Sequence, residues 1–343
     1  MRRLIYIATL LILSFLGQAQ DIHFSQFMAA PQQVNPALTG MFNGDLRVMA
    51  NYRRQWGSVT IPYRTMAVSG DTKLTKGIFG DDFIGGGLFI YSDKAGDIDF
   101  TTNQINLSLA YHKSLSAESN HYLSVGVVGG FAQRSVNPSK MTFDNQFNGI
   151  GFDPNIGIAD NIPLGTYVFG DLGAGISWYY GAGEHSKAYA GASMYHINQP
   201  NQSFYTGVDV PLKRKQVFYA GGEFVIYDRF SIQPQAIYLN QWPHTELLLG
   251  GYLHMDLTHI TDVTAKDISV GFFNRFGDAM IAVVRLGLDD WQVGMSYDIN
   301  SSRLTAASLG RGGPEISLVY LVDVPKFSKM NHRKGNPAFC PKF

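Results

Sequence analysis

The sequence predicts an all-β fold, a transmembrane outer-membrane β-barrel of about 14 antiparallel strands, and three observations predict it. Apolar and polar residues alternate with period two in long, regularly spaced runs. The runs reach about 10 to 15 residues, longer than an ordinary globular strand and matched to a tilted strand that crosses a bilayer. A basic-headed apolar leader precedes them, the kind of segment that directs a bacterial chain out of the cytoplasm.

The elements follow in order. Met1-Arg2-Arg3 is followed by the apolar run Leu4 to Gly17, and Gly17 and Ala19 supply the small residues of a cut after Ala19, so residues 1–19 read as a signal peptide. The apolar core is shorter than the roughly 20 residues of a membrane-spanning helix. No cysteine follows the cut, so lipoprotein processing is not indicated. Residues 20–44 carry Phe24, Phe27, Met28, Pro31, Pro36 and Gly40 with no sustained period. They are expected to form an ordered irregular segment at the periplasmic side or inside the lumen. Within it, Asn35-Pro36 biases Asn35 to extended backbone and starts a turn that Gly40 can close.

Residues 45–323 read as the barrel. In the first run Leu46, Val48, Ala50 and Tyr52 alternate with Arg47, Met49, Asn51 and Arg53. In another, Trp291, Val293, Met295, Tyr297 and Ile299 alternate with Gln292, Gly294, Ser296, Asp298 and Asn300. Such runs place strands near 45–56, 64–74, 83–92, 100–114, 121–136, 166–180, 186–198, 214–228, 230–241, 245–257, 266–277, 279–289, 291–300 and 314–323. An even number closes the sheet, and closure matters because lipid offers no partner to an open edge. With both termini in the periplasm, the long gaps 137–165, 199–213 and 301–313 all fall outside, while Asp228-Arg229 and Asp289-Asp290 make tight inner turns. Trp56, Trp178, Trp242 and Trp291 all fall at expected strand ends, where an interfacial girdle sits. A soluble sandwich would use the same residue types but normally with shorter strands. The tail 324–343, with Lys326, Lys329, Arg333, Lys334 and Lys342, is basic and either docks a periplasmic partner or is simply solvated.

Composition narrows the function. Lys+Arg and Asp+Glu number 27 each, which removes the electrostatic footprint of a nucleic-acid binder. Charged residues are 16%, below the roughly 25% of soluble chains, and aromatic residues reach 13%. After the leader no run of 18 or more apolar residues occurs, which excludes a helical membrane protein. Cys340 stands alone, so no internal disulfide is available. Catalytic signatures are missing: Gly191-Ala192-Ser193-Met194-Tyr195 lacks the final glycine of a nucleophile elbow and sits mid-strand. His254 and His259, five apart across a strand end, make a poor ligand pair. Asp144-Asn145-Gln146-Phe147-Asn148-Gly149, with Asp153 and Asn155, echoes a calcium loop but departs from it at Gln146 and Asn155; a loop ordered by Asx turns is the plainer reading. No cofactor and no enzymatic activity are expected.

Several ordered motifs carry a resemblance. Asp21-Ile22-His23-Phe24-Ser25-Gln26-Phe27, then Val34-Asn35-Pro36-Ala37-Leu38-Thr39-Gly40, then Tyr52-Arg53-Arg54-Gln55-Trp56, and finally Cys340-Pro341-Lys342-Phe343 together resemble the PorP/SprF family of type IX secretion system membrane proteins. The resemblance implies an outer-membrane barrel working with type IX secretion and gliding machinery. Its partners would be periplasmic or outer-membrane type IX subunits, outer-membrane lipid, and a secreted adhesin or surface protein with a type IX C-terminal domain. Asn35, Pro36, Gly40, Arg53, Gln55 and Trp56 are the motif residues with a partner-binding or structural role. Arg47, Arg53 or Arg54, on or near the first strand, is expected to pair with a lumen carboxylate such as Asp71, to hold the N-terminal segment, or to remain solvated. Phe343 stands some twenty residues beyond the last strand, too far for the aromatic ending that barrel-assembly machinery reads. A diffusion porin and, more remotely, a lipid hydrolase are the other function classes.

Overall fold

The computed structural model describes residues 21–157, 165–182, 186–258, 265–302 and 305–322. The expected signal peptide, the basic tail, Cys340, Phe343 and His259 lie outside them. Fourteen strands form one closed antiparallel barrel. They are β1 Leu46–Gln55, β2 Tyr63–Phe79, β3 Asp82–Ala95, β4 Phe100–Ser114, β5 His121–Ser135, β6 Thr166–Ala182 and β7 Ser186–Tyr195, then β8 Lys215–Tyr227, β9 Phe230–Gln241, β10 His244–Asp256, β11 Ala265–Arg275, β12 Ala279–Leu288, β13 Trp291–Asn300 and β14 Arg311–Val322. Each strand pairs with its sequence neighbours, and β1 closes on β14 from Leu46↔Val322 to Arg53↔Glu315.

Period-two alternation decides what each face carries. On β4 Ile105, Leu107 and Leu109 point outward and are exposed, whereas Gln104, Asn106 and Ser108 point inward and are buried. On β13 Met295, Tyr297 and Ile299 face out, and Ser296, Asp298 and Asn300 face in. The outer surface is therefore a belt of apolar side chains suited to hydrocarbon, and the polar face is enclosed.

Three of the departures from the expected ranges have physical reasons in the backbone. β2 runs on to Phe79, because bulges between Lys73 and Thr75 and between Lys76 and Phe79 break the alternation without ending the pairing to β3. β7 stops at Tyr195, since His196 takes a left-handed backbone (φ 56). β14 begins at Arg311, ahead of Pro314, because Arg311 and Gly313 pair with β13 around a bulge at Gly312, and the two glycines contribute no side chain to the pattern.

The connections segregate. Among the described residues, 56–62, 136–157, 196–214 and 305–310 gather at one end, and the turns 80–81, 228–229 and 289–290 at the other. Trp56 and Trp242 lie at the long-loop end, Trp178 and Trp291 at the short-turn end. Trp291 stacks on Tyr320 at 4.1 Å, and the Trp178 indole donates to His121 Nε2 at 2.7 Å. Two tryptophans at each level fit a girdle at both membrane interfaces.

Candidate functional site: the occupied lumen

The enclosed polar face lines a lumen that is already full. Residues 21–44 cross it from Asp21, beside Gln241 and His196 at the long-loop end, to Asp45, whose amide donates to Val322 O at the short-turn end. Two prolines shape the path. Pro31 opens a helical turn, α1 (Pro31–Val34), and Pro36 opens a 3₁₀ turn (Pro36–Leu38), each at a position where the missing N–H costs nothing. Phe27, Met28, Val34, Leu38, Met41 and Phe42 are all buried, and they pack against Phe83, Tyr122, Tyr179, Tyr189, Tyr219 and Tyr252 of the inner wall.

Asn35 joins the segment to the wall. Its backbone is extended, its Oδ1 accepts from Ala37 N at 2.8 Å, and its Nδ2 donates to the carbonyls of Ile176 (2.7 Å) and Ala192 (3.2 Å), which face each other across β6 and β7. The wall makes room by omission. A Cβ on Gly175 would stand 2.1 Å from Asn35 Oδ1, and one on Gly126 would stand 2.4 Å from Ala37 N. Other wall groups read the segment's main chain: Ser193 Oγ donates to Val34 O at 2.6 Å and Tyr195 Oη to Gln32 O at 2.7 Å. His112 Nε2 donates to Thr39 O at 2.8 Å, which leaves Nδ1 to accept from Ser124 Oγ at 2.7 Å.

Gly40 ends the lower half. It sits at φ +80, where a side chain is strained, and its amide donates to Asp71 Oδ2 at 2.7 Å. Asp71 also takes a two-pronged bond from Arg47 at 2.9 and 2.7 Å, and the Arg47 guanidinium lies 4.7 Å over the Phe42 ring. The pair is buried and has its hydrogen bonds filled, the condition under which a buried ion pair is tolerated.

The upper half is held by charges. Glu315 accepts two successive backbone amides, Ser25 N and Gln26 N, each at 2.8 Å. The Ser25 hydroxyl lies between Asp298 (2.8 Å) and Arg275 (2.7 Å). Arg53 bonds Asp298 at 2.8 Å and donates to His23 O, while Arg275 reaches Asp298 at 3.0 Å and Glu246 at 3.3 Å. At the mouth His196 bridges two carboxylates, Asp171 at 2.8 Å and Asp21 at 2.5 Å. Burial pulls the imidazole pKa down, but the charge of Asp21 and the bonds to Asp171 and Asp21 reverse this and raise it to about 9. Burial works against Asp21 ionisation too, yet His196 with Lys215 and Arg134 holds its carboxyl well below the usual range. The bridge is therefore an imidazolium between two carboxylates at neutral pH.

The motif residues occupy three places rather than one. Asn35, Pro36 and Gly40 anchor the lower half of the segment. Arg53 belongs to the upper charge clasp, and Gln55 joins it, its side-chain oxygen accepting from Arg53 Nη2 at 2.6 Å in the amide orientation that satisfies both ends. Trp56 stands at the rim with φ 55, its amide on Gly312 O at 3.1 Å and its ring edge-on to Tyr63. Of the three arginines, Arg47 pairs with Asp71, Arg53 holds the segment, and Arg54 is exposed. Sequence reasoning missed Asp298, Glu315, Arg275, Glu246 and the Asp21–His196–Asp171 bridge. Their signal was a charge at an inward position of an amphipathic strand, as at Asp298 between Tyr297 and Ile299.

Other candidates resolve into structure. In the outer loop Asp144 Oδ1 caps Asn145 N, Asn148 Oδ1 takes the amides of Ile150 and Gly151, and Asp153 Oδ1 takes Asn155 N. These are the bonds of Asx-type turns. Among the described residues no group of three or more His, Cys, Asp and Glu is placed to hold a metal ion.

A comparison with curated proteins gave no match. Among solved structures, the chain is similar to a Pseudomonas aeruginosa FadL homologue at 12% identity, covering 83% of this chain and 92% of that one with a TM-score of 0.46. It is also similar to the P. putida toluene transporter TodX at 11% identity, covering 84% and 93% with a TM-score of 0.43. The translocator domain of the autotransporter NalP from Neisseria meningitidis matches at 12% identity, covering 87% and 96% with a TM-score of 0.34. By sequence, residues 16–320 match the family described as type IX secretion system membrane protein PorP/SprF, and with that match spanning nearly the whole barrel the chain belongs to the PorP/SprF family.

Proposed function

We propose that this outer-membrane barrel is a non-catalytic binding component of the type IX secretion and gliding machinery. It takes hold of a secreted adhesin or surface protein at its long-loop end, helps that client to be exported or held at the surface, and meets type IX subunits at its short-turn end. The observation that carries this reading is the occupied lumen. A wall that spends its inward polar groups on residues 21–44 leaves its loops as the surface for partners, and the lumen is not laid out as a water-filled solute path.

The long-loop end supports it further. Phe147, Ile150 and Phe152 of the loop 136–165 and Tyr205, Val208 and Val210 of the loop 196–214 are exposed, and exposed apolar clusters of this kind mark protein contacts. Ser193 of the incomplete elbow spends its hydroxyl on Val34 O, which is a structural use. In this reading Asn35, Pro36, Gly40, Arg53 and Gln55 act by fixing the lumen segment, and Trp56 by fixing the rim.

The test is affinity purification of the tagged full-length protein from a strain that secretes normally. Co-purification of a secreted protein bearing a type IX C-terminal domain, or of type IX subunits, is the expected result. Recovery of neither, with secretion intact, overturns the reading. A large steady conductance of the wild-type barrel in planar bilayers would instead make it a porin.

A further inference from the structure

We propose that the upper edge of β6, residues 166–170, is a docking site where a partner polypeptide adds one extended strand to the barrel wall; this rests on the client-binding reading above. The two flanks of β6 are of unequal height. On the β5 side pairing continues to the top, to Ser135↔Thr166, whereas on the β7 side the ladder ends at Ala174↔Met194. Above that point the chain leaves the sheet, because His196 turns left-handed and its ring swings inward to Asp171.

Backbone geometry shows which groups are left over. Ile197 N donates to Leu172 O at 3.0 Å, Asn198 Oδ1 accepts from Leu172 N at 3.2 Å, and Asn198 Nδ2 donates to Gly170 O at 2.8 Å. Even-numbered residues of β6 thus aim their N–H and C=O toward the missing neighbour, and one asparagine side chain imitates a strand for the first of them. Above it the Gly170 N–H and both main-chain groups of Val168 and Thr166 meet no partner among the described residues.

Among the described residues, the loop that follows β7 does not cover this edge. The loop 196–214 folds back over the mouth, with Leu212 against Ala132 and Phe169, and Phe204 edge-on to Tyr167 at 4.7 Å, all on the inner side. Natural sheets blunt open edges with charges or proline, and barrels abolish them. Thr166, Val168 and Gly170 are neither charged nor proline, and Val168 is 64% exposed, facing outward as Leu172 and Phe131 do. A row of alternating donors and acceptors about 17 Å long, at ~3.4 Å per residue, fits an extended strand and not a helix or a small solute. Its outward residue would lie beside Val168 and Leu172, so the partner strand carries an apolar residue there.

The experiment compares wild type, Val168→Pro and Val168→Thr, all full length, for recovery of the secreted client that co-purifies with wild type. Proline removes a donor that bonds nothing among the described residues, so heat-modifiable migration of the assembled barrel should be unchanged. Client recovery should fall by about tenfold or more for Val168→Pro and by several-fold less than that for Val168→Thr, which keeps the main-chain donor and loses only apolar contact. Amide exchange at Val168 and Gly170 should slow by about tenfold or more when the client is bound. Equal recovery with the folded Val168→Pro protein, or unprotected amides in the complex, overturns the docking site while leaving client binding intact. A wild-type barrel that recovers no client overturns both.

Discussion

At the scale of single residues, the lumen is decided by side chains that do two jobs. Asn35 caps its own turn and ties two wall strands, so Asn35→Ala orphans buried groups on both sides. At about 1–3 kcal/mol for each buried group left unpaired, the barrel should unfold at measurably lower urea concentration in micelles. His196 offers a pH test with a definite sign. Its folded pKa of about 9 lies above the ordinary value of 6.5, so its contribution to stability is complete below that value and is lost as pH rises through about 9. Asp21 behaves oppositely, contributing above its ordinary range and losing that contribution only in strong acid. Thermal midpoints in detergent should therefore fall between pH 7 and 10 for wild type, and His196→Gln should flatten that decline.

At the scale of elements, each strand is a two-faced ladder whose register can be tested by charge. Met295 lies mid-strand on the outer face of β13, so Met295→Arg should cost about 2–4 kcal/mol in assembly. Val293 is also outward but only two residues from Trp291 at the rim, and its replacement by Arg should cost about 1 kcal/mol or less, as near an interface. Gln292→Arg, pointing inward, should assemble normally. Equal assembly of Met295→Arg and Gln292→Arg would place the register one residue off. The N-terminal segment is an element of another kind. Its lower half is bound by close packing, main-chain bonds and the Arg47–Asp71 pair, and its upper half by the Arg53–Asp298–Arg275 clasp; because these pairs are buried, salt screens them little.

At the scale of the whole molecule, the barrel and the segment form one core. The inner wall supplies carboxylates, arginines and tyrosines, and the segment supplies the apolar mass and the main-chain groups that satisfy them. Deleting residues 21–41 should convert a silent barrel into a conducting one in planar bilayers, with reduced stability because Asp71, Asp298 and Glu315 lose partners. A deletion protein that assembles and remains silent would mean that the loops alone close the mouth.

By itself, the sequence determined the barrel. Period-two alternation at Leu46–Arg53 or Trp291–Asn300 is set by the backbone's own pleat, and so the strand count, the outward belt and the asymmetry between loops and turns were legible in one dimension. An inward arginine of the first strand on Asp71 was legible as one alternative, because β1 and β2 are neighbours in sequence and in the sheet; that Arg47 takes it was not. Only the tertiary structure decided where residues 21–44 go, which charges hold them, and that β6 rises above β7. Ser25 meets Asp298 and Glu315 across more than 270 positions of chain, and no local period encodes such a contact. Glycines at 126 and 175 read as weak strand residues until the wall closes and their missing side chains become the space the segment occupies.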